Sequence, residues 1–192
     1  PLVEAQIMAA DGTLLPQDGE TQGELVLRAP WLTQGYFREP EKSQELWAGG
    51  WMHTGDVATI SPMGFIEIRD RIKDVIKTGG EWLSSLELED LISRSPLVAE
   101  VAVVGVPDPR WDERPFALIV PAAGQTVTAD AMAEHLMPFV EEGHINKWAI
   151  PRQIAVVTEI PKTSVGKLDK KRIRTEIAGW LDAGAECISS LA

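Results

Sequence analysis

Apolar and polar positions change their rhythm once along this chain. Over residues 1–69 short apolar runs are separated by turn signals. Ala5-Gln6-Ile7-Met8, Gly23-Glu24-Leu25-Val26-Leu27 and Gly64-Phe65-Ile66-Glu67-Ile68 are such runs. Leu25/Leu27 and Ile66/Ile68 alternate with a period of two, as half-buried strands do. Asp11-Gly12 and Asp18-Gly19 are hairpin dipeptides. Pro40 opens a short helix over residues 40–48.

From Arg69-Asp70-Arg71 onward strand and helix patterns mix. Asp74 to Thr78 is a short apolar strand ending in Gly79-Gly80. Ser84 with Glu87 three residues on is a capping box, and Leu83 with Leu88 is the matching hydrophobic staple. Leu88, Leu91 and Ile92 give that helix an inward stripe, and Pro96 closes the segment. Val98 to Val106, Phe116 to Val120 and Ile154 to Val157 read as three strands. Between the last two, Thr128 caps a helix carrying Met132, Leu136, Phe139 and Val140 on one side, which Pro138 should kink or shorten. Asp169 caps a last helix with Ile173, Ile177 and Trp180. The pattern predicts an α+β class, with a β-rich piece over 1–69 and a compact unit of short hairpin, three-stranded sheet and flanking helices over 70–192.

Composition narrows the chemistry. Of 192 residues 44% are hydrophobic and 24% charged, which fits a globular chain rather than a disordered one. No apolar run approaches the ~20 residues of a membrane-spanning helix. Pro1-Leu2-Val3-Glu4 resembles no secretory signal and reads as an internal cut. The single cysteine, Cys187, excludes an intrachain disulfide framework and a multi-cysteine zinc site, so a reducing, cytoplasmic location is the default. No metal site is expected, since His53 has no partner at metal spacing and His135 and His144 lie far from it in sequence. The net charge of −11 disfavours nucleic acid and anionic lipid. Residues 147–174 nevertheless hold eight Lys or Arg against Glu159 and Asp169. Such an island suits a small phosphate-bearing ligand, or is a solvated helix face.

Three short motifs carry candidate chemistry. His53-Thr54-Gly55-Asp56 places a carboxylate at a strand start, where it could accept from a ribose diol; alone a Thr-Gly-Asp tripeptide is more often a plain turn. Asp70-Arg71-Ile72-Lys73-Asp74 leads into Gly79-Gly80, whose glycines allow either a close ligand approach or a tight hairpin. Pro161-Lys162-Thr163-Ser164-Val165-Gly166-Lys167 sets a lysine on a loop before a helix. It is not a phosphate-binding Walker loop, because Pro161 and Leu168 stand where that motif needs Gly and Ser or Thr. Lys167 is a cation available to a phosphate or carboxylate, or a solvated lysine.

In this order and spacing the three motifs resemble the adenylate-forming superfamily of acyl-CoA synthetases, luciferases and peptide-synthetase adenylation domains. The resemblance spans roughly residues 1–180. The stretches Lys77–Ser85 and Gly105–Pro115 look most like medium-chain fatty acyl-CoA synthetases. Trp82 departs from the arginine that some acetyl-CoA synthetases carry there.

The resemblance implies that residues 1–69 are the C-terminal part of a large-domain β-barrel subdomain and 70–192 a mobile C-terminal α+β domain. It implies Asp56 and Arg71 as nucleotide-binding residues, Lys73 as the hinge, Lys167 as the catalytic lysine of adenylation, and Gly79 and Gly80 on the pantetheine path. Lys147 and Trp148 are candidate partners of CoA. ATP, Mg²⁺ and CoA enter as substrates of a parent fatty acyl-CoA ligase, with a small carboxylate as the fourth. The chain alone is expected to be inactive, because the family's phosphate loop and acyl pocket are not in it. Two alternatives are a ligase that loads a carrier protein and a non-catalytic CoA- or nucleotide-binding module. Acyl chain length is not readable, and a homo-oligomer stays open.

Overall fold

Among the described residues ten strands and five helices form two compact units, Pro1–Lys73 and Asp74–Ala192. The computed structural model describes residues 2–182 and 186–187. The class is α+β. Among the described residues no helix is long and apolar enough to cross a membrane.

The first unit is a four-stranded antiparallel sheet that does not close into a barrel. Its order is β1 (Glu4–Met8), β2 (Gly23–Arg28), β3 (Met52–Ile60) and β4 (Ile66–Arg71). Ile7, Leu25, Ala58 and Ile60 cluster on one face, while Met8, Val26 and Trp51 cluster apart from them. That split follows the period-two side-chain alternation of strands. Helix α1 (Pro40–Leu46) starts at its proline, which needs no N–H at the first helical position. The longest strand of this unit, β3, is the one the sequence hides. Its first half is polar, and Gly55 with φ +71° interrupts it. Asp56 therefore lies in mid-strand rather than at a strand start.

The second unit is built on a long hairpin of β7 (Val98–Asp108) and β8 (Asp112–Pro121). Strand β9 (Gln153–Val156) runs parallel to β8, and the intervening helix α3 (Ala129–Glu141) provides the crossover that a parallel pair requires. Strands β5 (Ile76–Thr78) and β6 (Glu81–Leu83) form the short hairpin, joined to β8 at Thr78 and Asp112. β10 (Glu186–Cys187) extends the other edge beside β9.

This sheet is buried on both faces, and its strands show why they read as continuous apolar runs. Val101, Val103, Ala117 and Ile119 face a core completed by α2 (Ser85–Ser93) and α3. Their neighbours Ala102, Val104, Phe116 and Leu118 face a second core with Ile160 and Ile173. The predicted caps form as hydrogen bonds. Ser84 Oγ accepts from Glu87 N at 3.1 Å, Thr128 Oγ1 from Ala131 N at 3.2 Å, and Asp169 Oδ1 from Arg172 N at 3.0 Å.

Two helix expectations change. α3 runs three residues past Pro138, because the proline sits in the last turn, where few bonds remain to be lost. The last helix divides into α4 (Lys170–Thr175) and α5 (Ile177–Asp182) at Glu176, which leaves helical geometry.

Candidate functional site

In the first unit the Asp56 carboxylate meets Arg71 Nε at 2.7 Å. The two residues are direct cross-strand partners in the β3–β4 ladder, so the backbone register itself brings them together. The pair is partly open to solvent, with Arg71 more than half exposed. A carboxylate has about four acceptor sites, so one arginine contact leaves it able to accept more. Asp56 is set by its neighbours. Its N–H donates to Thr54 Oγ1 at 3.1 Å, and Thr54 Oγ1 donates to the Leu25 carbonyl at 2.7 Å. Glu24, which sequence reasoning passed over as an ordinary strand residue, accepts from Gly55 N at 3.0 Å and pairs with His53 Nδ1 at 2.8 Å.

Lys73 is an exposed residue on the link between β4 and β5 and the last residue of the first unit. Ile72 before it donates to the Gly55 carbonyl at 3.0 Å. Asp74 after it is gripped by both terminal nitrogens of Arg174, from α4.

In the second unit Gly79 and Gly80 are the two-residue turn of the β5–β6 hairpin, with φ +60° and +85°. Positive φ at both central residues is what such a turn demands, and glycine meets it without strain. Gly79 also touches Trp111. Its N–H donates to the Trp111 carbonyl at 3.0 Å, and an added Cβ would lie 3.1 Å from the indole.

Beside that turn a cavity of about 230 Å³ is lined by Trp111, Arg114, Lys147, Trp148 and Arg152. Glu81, the first residue after the turn, accepts from Trp148 Nε1 at 3.3 Å and from Asn146 Nδ2 at 2.9 Å. The glycine turn and the cation–indole pocket are thus stitched together. Arg114 is buried, and its Nε has no hydrogen-bond partner among the described residues. Burial, then the Arg152 charge, lower its proton affinity against the opposing pull of Asp108. A buried guanidinium beside a second one is an arrangement that an anion relieves. Sequence reasoning singled out Lys147 and Trp148 and counted Arg152 in the basic island, but missed Trp111 and Arg114, which the β7–β8 hairpin brings up from far along the chain.

Lys167 sits near the end of a small hairpin in which Lys162 pairs with Leu168. Its backbone is pinned at both ends to Thr163, N–H to Oγ1 at 3.2 Å and carbonyl from N–H at 2.7 Å. The side chain is exposed, and its ammonium has no ion-pair or hydrogen-bond partner among the described residues. Two braces hold the loop. Lys162 Nζ meets Glu100 at 2.9 Å near the start of β7. Lys170 Nζ, buried at the start of α4, meets Glu89 at 2.7 Å and Ser85 Oγ at 2.8 Å. Glu89 in turn accepts from Val103 N at 2.8 Å. The lysine loop is therefore tied to one end of β7 and the glycine turn to the other. Eight residues separate Glu100 from Asp108, a strand distance of roughly 25 Å.

Among the described residues no group of three or more His, Cys, Asp and Glu side chains comes together to hold a metal.

Residues 87–167 match the family described as the AMP-binding enzyme C-terminal domain. The chain is 45% identical over 174 residues to a 3-methylmercaptopropionyl-CoA ligase of Ruegeria lacuscaerulensis, covering 91% of this chain and 31% of that one. It is 40% identical to a long-chain-fatty-acid–CoA ligase of Thermus thermophilus, covering 94% of this chain and 32% of that one. The structure of the amide bond synthetase McbA from Marinactinospora thermotolerans superposes with a TM-score of 0.77 at 33% identity, covering 92% of this chain and 34% of that one. The chain thus spans about a third of the length of the relatives it matches. It belongs to the AMP-binding, adenylate-forming enzyme superfamily and carries that superfamily's C-terminal domain.

Proposed function

We propose that this chain is the C-terminal part of an AMP-forming acyl-CoA ligase acting on a fatty or related carboxylate. The observation that carries the reading is the division of labour along β7. A braced loop presents an unpaired lysine at one end, and a glycine turn with a cation–indole pocket stands at the other. Two faces on one small domain suit two successive half-reactions.

In the first, a carboxylate oxygen attacks the α-phosphorus of ATP, carried as its Mg²⁺ complex, and pyrophosphate leaves. Asp56 accepts hydrogen bonds from the ribose hydroxyls, with Arg71 beside it. Lys167 holds the carboxylate and α-phosphate in line and offsets the charge that builds between them. In the second, the domain turns about Lys73. The thiol of CoA, led past Gly79 and Gly80, attacks the acyl carbon; the thioester forms and AMP leaves. Trp111 and Trp148 offer faces for the adenine, and Arg114, Lys147 and Arg152 offer charge for the phosphates.

The pocket favours CoA over a carrier protein as acceptor, because five converging cationic and indole groups match a nucleotide better than a protein surface. Acid and acceptor names differ among the relatives, so the ligase class rather than one acid is proposed. By itself the 192-residue chain is proposed to be inactive. Pyrophosphate release from ATP with short, medium and aryl carboxylates tests the reading in the intact protein. Release that requires both acid and ATP supports it; no release with any acid points to a non-catalytic nucleotide-binding module.

A further inference from the structure

The β2–β3 ladder breaks at the residues that carry Asp56. Glu24 pairs with Val57 and Val26 with His53, so a single residue of β2, Leu25, faces three of β3, Thr54 to Asp56. Such a bulge detaches backbone groups from the ladder and re-aims the side chains on it. The Gly55 N–H finds its acceptor in the Glu24 carboxylate rather than in a strand carbonyl. The second Glu24 oxygen meets His53 Nδ1, and His53 Nε2 faces the Ala48 carbonyl at 3.1 Å. Glu24 thus reaches across the gap and ties both the entrance of the bulge, at His53, and its apex, at Gly55. Gly55 holds φ +71° there, and its carbonyl accepts from Ile72 N, next to Arg71.

We propose that Glu24 is a positioning residue for the nucleotide: its carboxylate holds the Thr54–Asp56 bulge in the conformation that aims the Asp56 carboxylate at the ribose. The proposal rests on the reading of Asp56 as the ribose ligand. Removing the carboxylate leaves the half-buried Gly55 N–H without its acceptor, and the bulge relaxes toward ordinary pairing. A glutamine keeps the bridge, because its oxygen accepts from Gly55 while its amide donates to a neutral His53 ring.

The test is calorimetric titration of the intact protein with AMP, and separately with CoA. The variants are Glu24→Ala, Glu24→Gln, Glu24→Asp and, as reference, Asp56→Ala. Glu24→Ala should weaken AMP at least tenfold, Glu24→Gln less than threefold, and CoA binding should stay within twofold throughout. Glu24→Asp keeps the charge but is one methylene too short to reach Gly55, so it should weaken AMP as Glu24→Ala does. It carries the test if the alanine variant does not fold. Wild-type AMP affinity in the Ala and Asp variants while Asp56→Ala weakens it overturns the proposal. So does equal weakening of AMP and CoA, which marks general damage, or a glutamine variant as weak as alanine. Unchanged AMP affinity in Asp56→Ala removes the ribose reading itself, and the proposal with it.

Discussion

Ile72 and Asp74, the two neighbours of Lys73, are pinned to different units. Ile72 donates to the Gly55 carbonyl of β3 in the first unit, and Asp74 is clamped by Arg174 of α4 in the second. On the proposed reading, in which the second unit turns about Lys73, the backbone dihedrals at Lys73 take up that rotation. Proline there locks φ near −65° and restricts Ile72 as well. Lys73→Pro in the intact protein should lose overall turnover at least tenfold while one half-reaction, measured by pyrophosphate release or by thioester formation from supplied acyl-adenylate, survives. Normal turnover in that variant would remove Lys73 from the hinge.

On the proposed reading Asp56 offers a charged acceptor to the ribose of the nucleotide. Hydrogen bonds to charged groups contribute about 1.5–3 kcal/mol. Asp56→Ala should accordingly raise the KM for ATP by roughly ten- to a hundredfold, with the KM for CoA unchanged. Steady-state kinetics with each substrate varied in turn checks it; an unchanged KM for ATP takes Asp56 out of the site.

The cation–indole pocket predicts the converse pattern. Trp148 and Lys147 line it and are exposed enough to be replaced without opening a core. Trp148→Ala and Lys147→Ala should each raise the KM for CoA several-fold to tenfold and leave pyrophosphate release untouched. The Lys147 effect should shrink as salt is added, since screening weakens exposed charge pairs. Loss of pyrophosphate release in either variant would assign the pocket to the first half-reaction instead.

Lys170 and Glu89 are about a tenth exposed, and together they hold the start of α4 against α2 and β7. Breaking a buried pair by removing one partner costs about 3–5 kcal/mol, whereas replacing both with apolar residues is often neutral. Lys170→Met should lower the melting temperature markedly, and adding Glu89→Leu should recover most of it. A double variant no better than the single one would show that the pair is not an isolated electrostatic unit.

Where a local rule sufficed, the sequence was readable. Ser84, Thr128 and Asp169 each announced a helix start through a side chain that accepts from a nearby backbone N–H. The β-branched run at Val98 announced a buried strand because both its faces are covered. Pairing between distant segments was less readable. β3 was hidden by its polar first half, and Glu24 by lying in an ordinary strand pattern. Its role depends on which residues of β3 stand opposite, about thirty positions away. Trp111, Arg114 and Arg152 converge with Lys147 and Trp148 only after β8, α3 and β9 have folded back on one another. The pairing of Asp56 with Arg71 is likewise a matter of register, which no motif spells out.

The most direct test of the account is to separate the two half-reactions in wild type and Lys167→Ala. The lysine loop lies at the opposite end of β7 from the glycine turn, so its removal should damage one step alone. Pyrophosphate release in Lys167→Ala should fall by about 10²–10³-fold, as expected when one group stabilising transition-state charge is lost. Thioester formation from supplied acyl-adenylate and CoA should stay within severalfold of wild type. Equal loss in both steps, or undiminished pyrophosphate release, would contradict the assignment of Lys167 to adenylation and the two-faced reading of the domain.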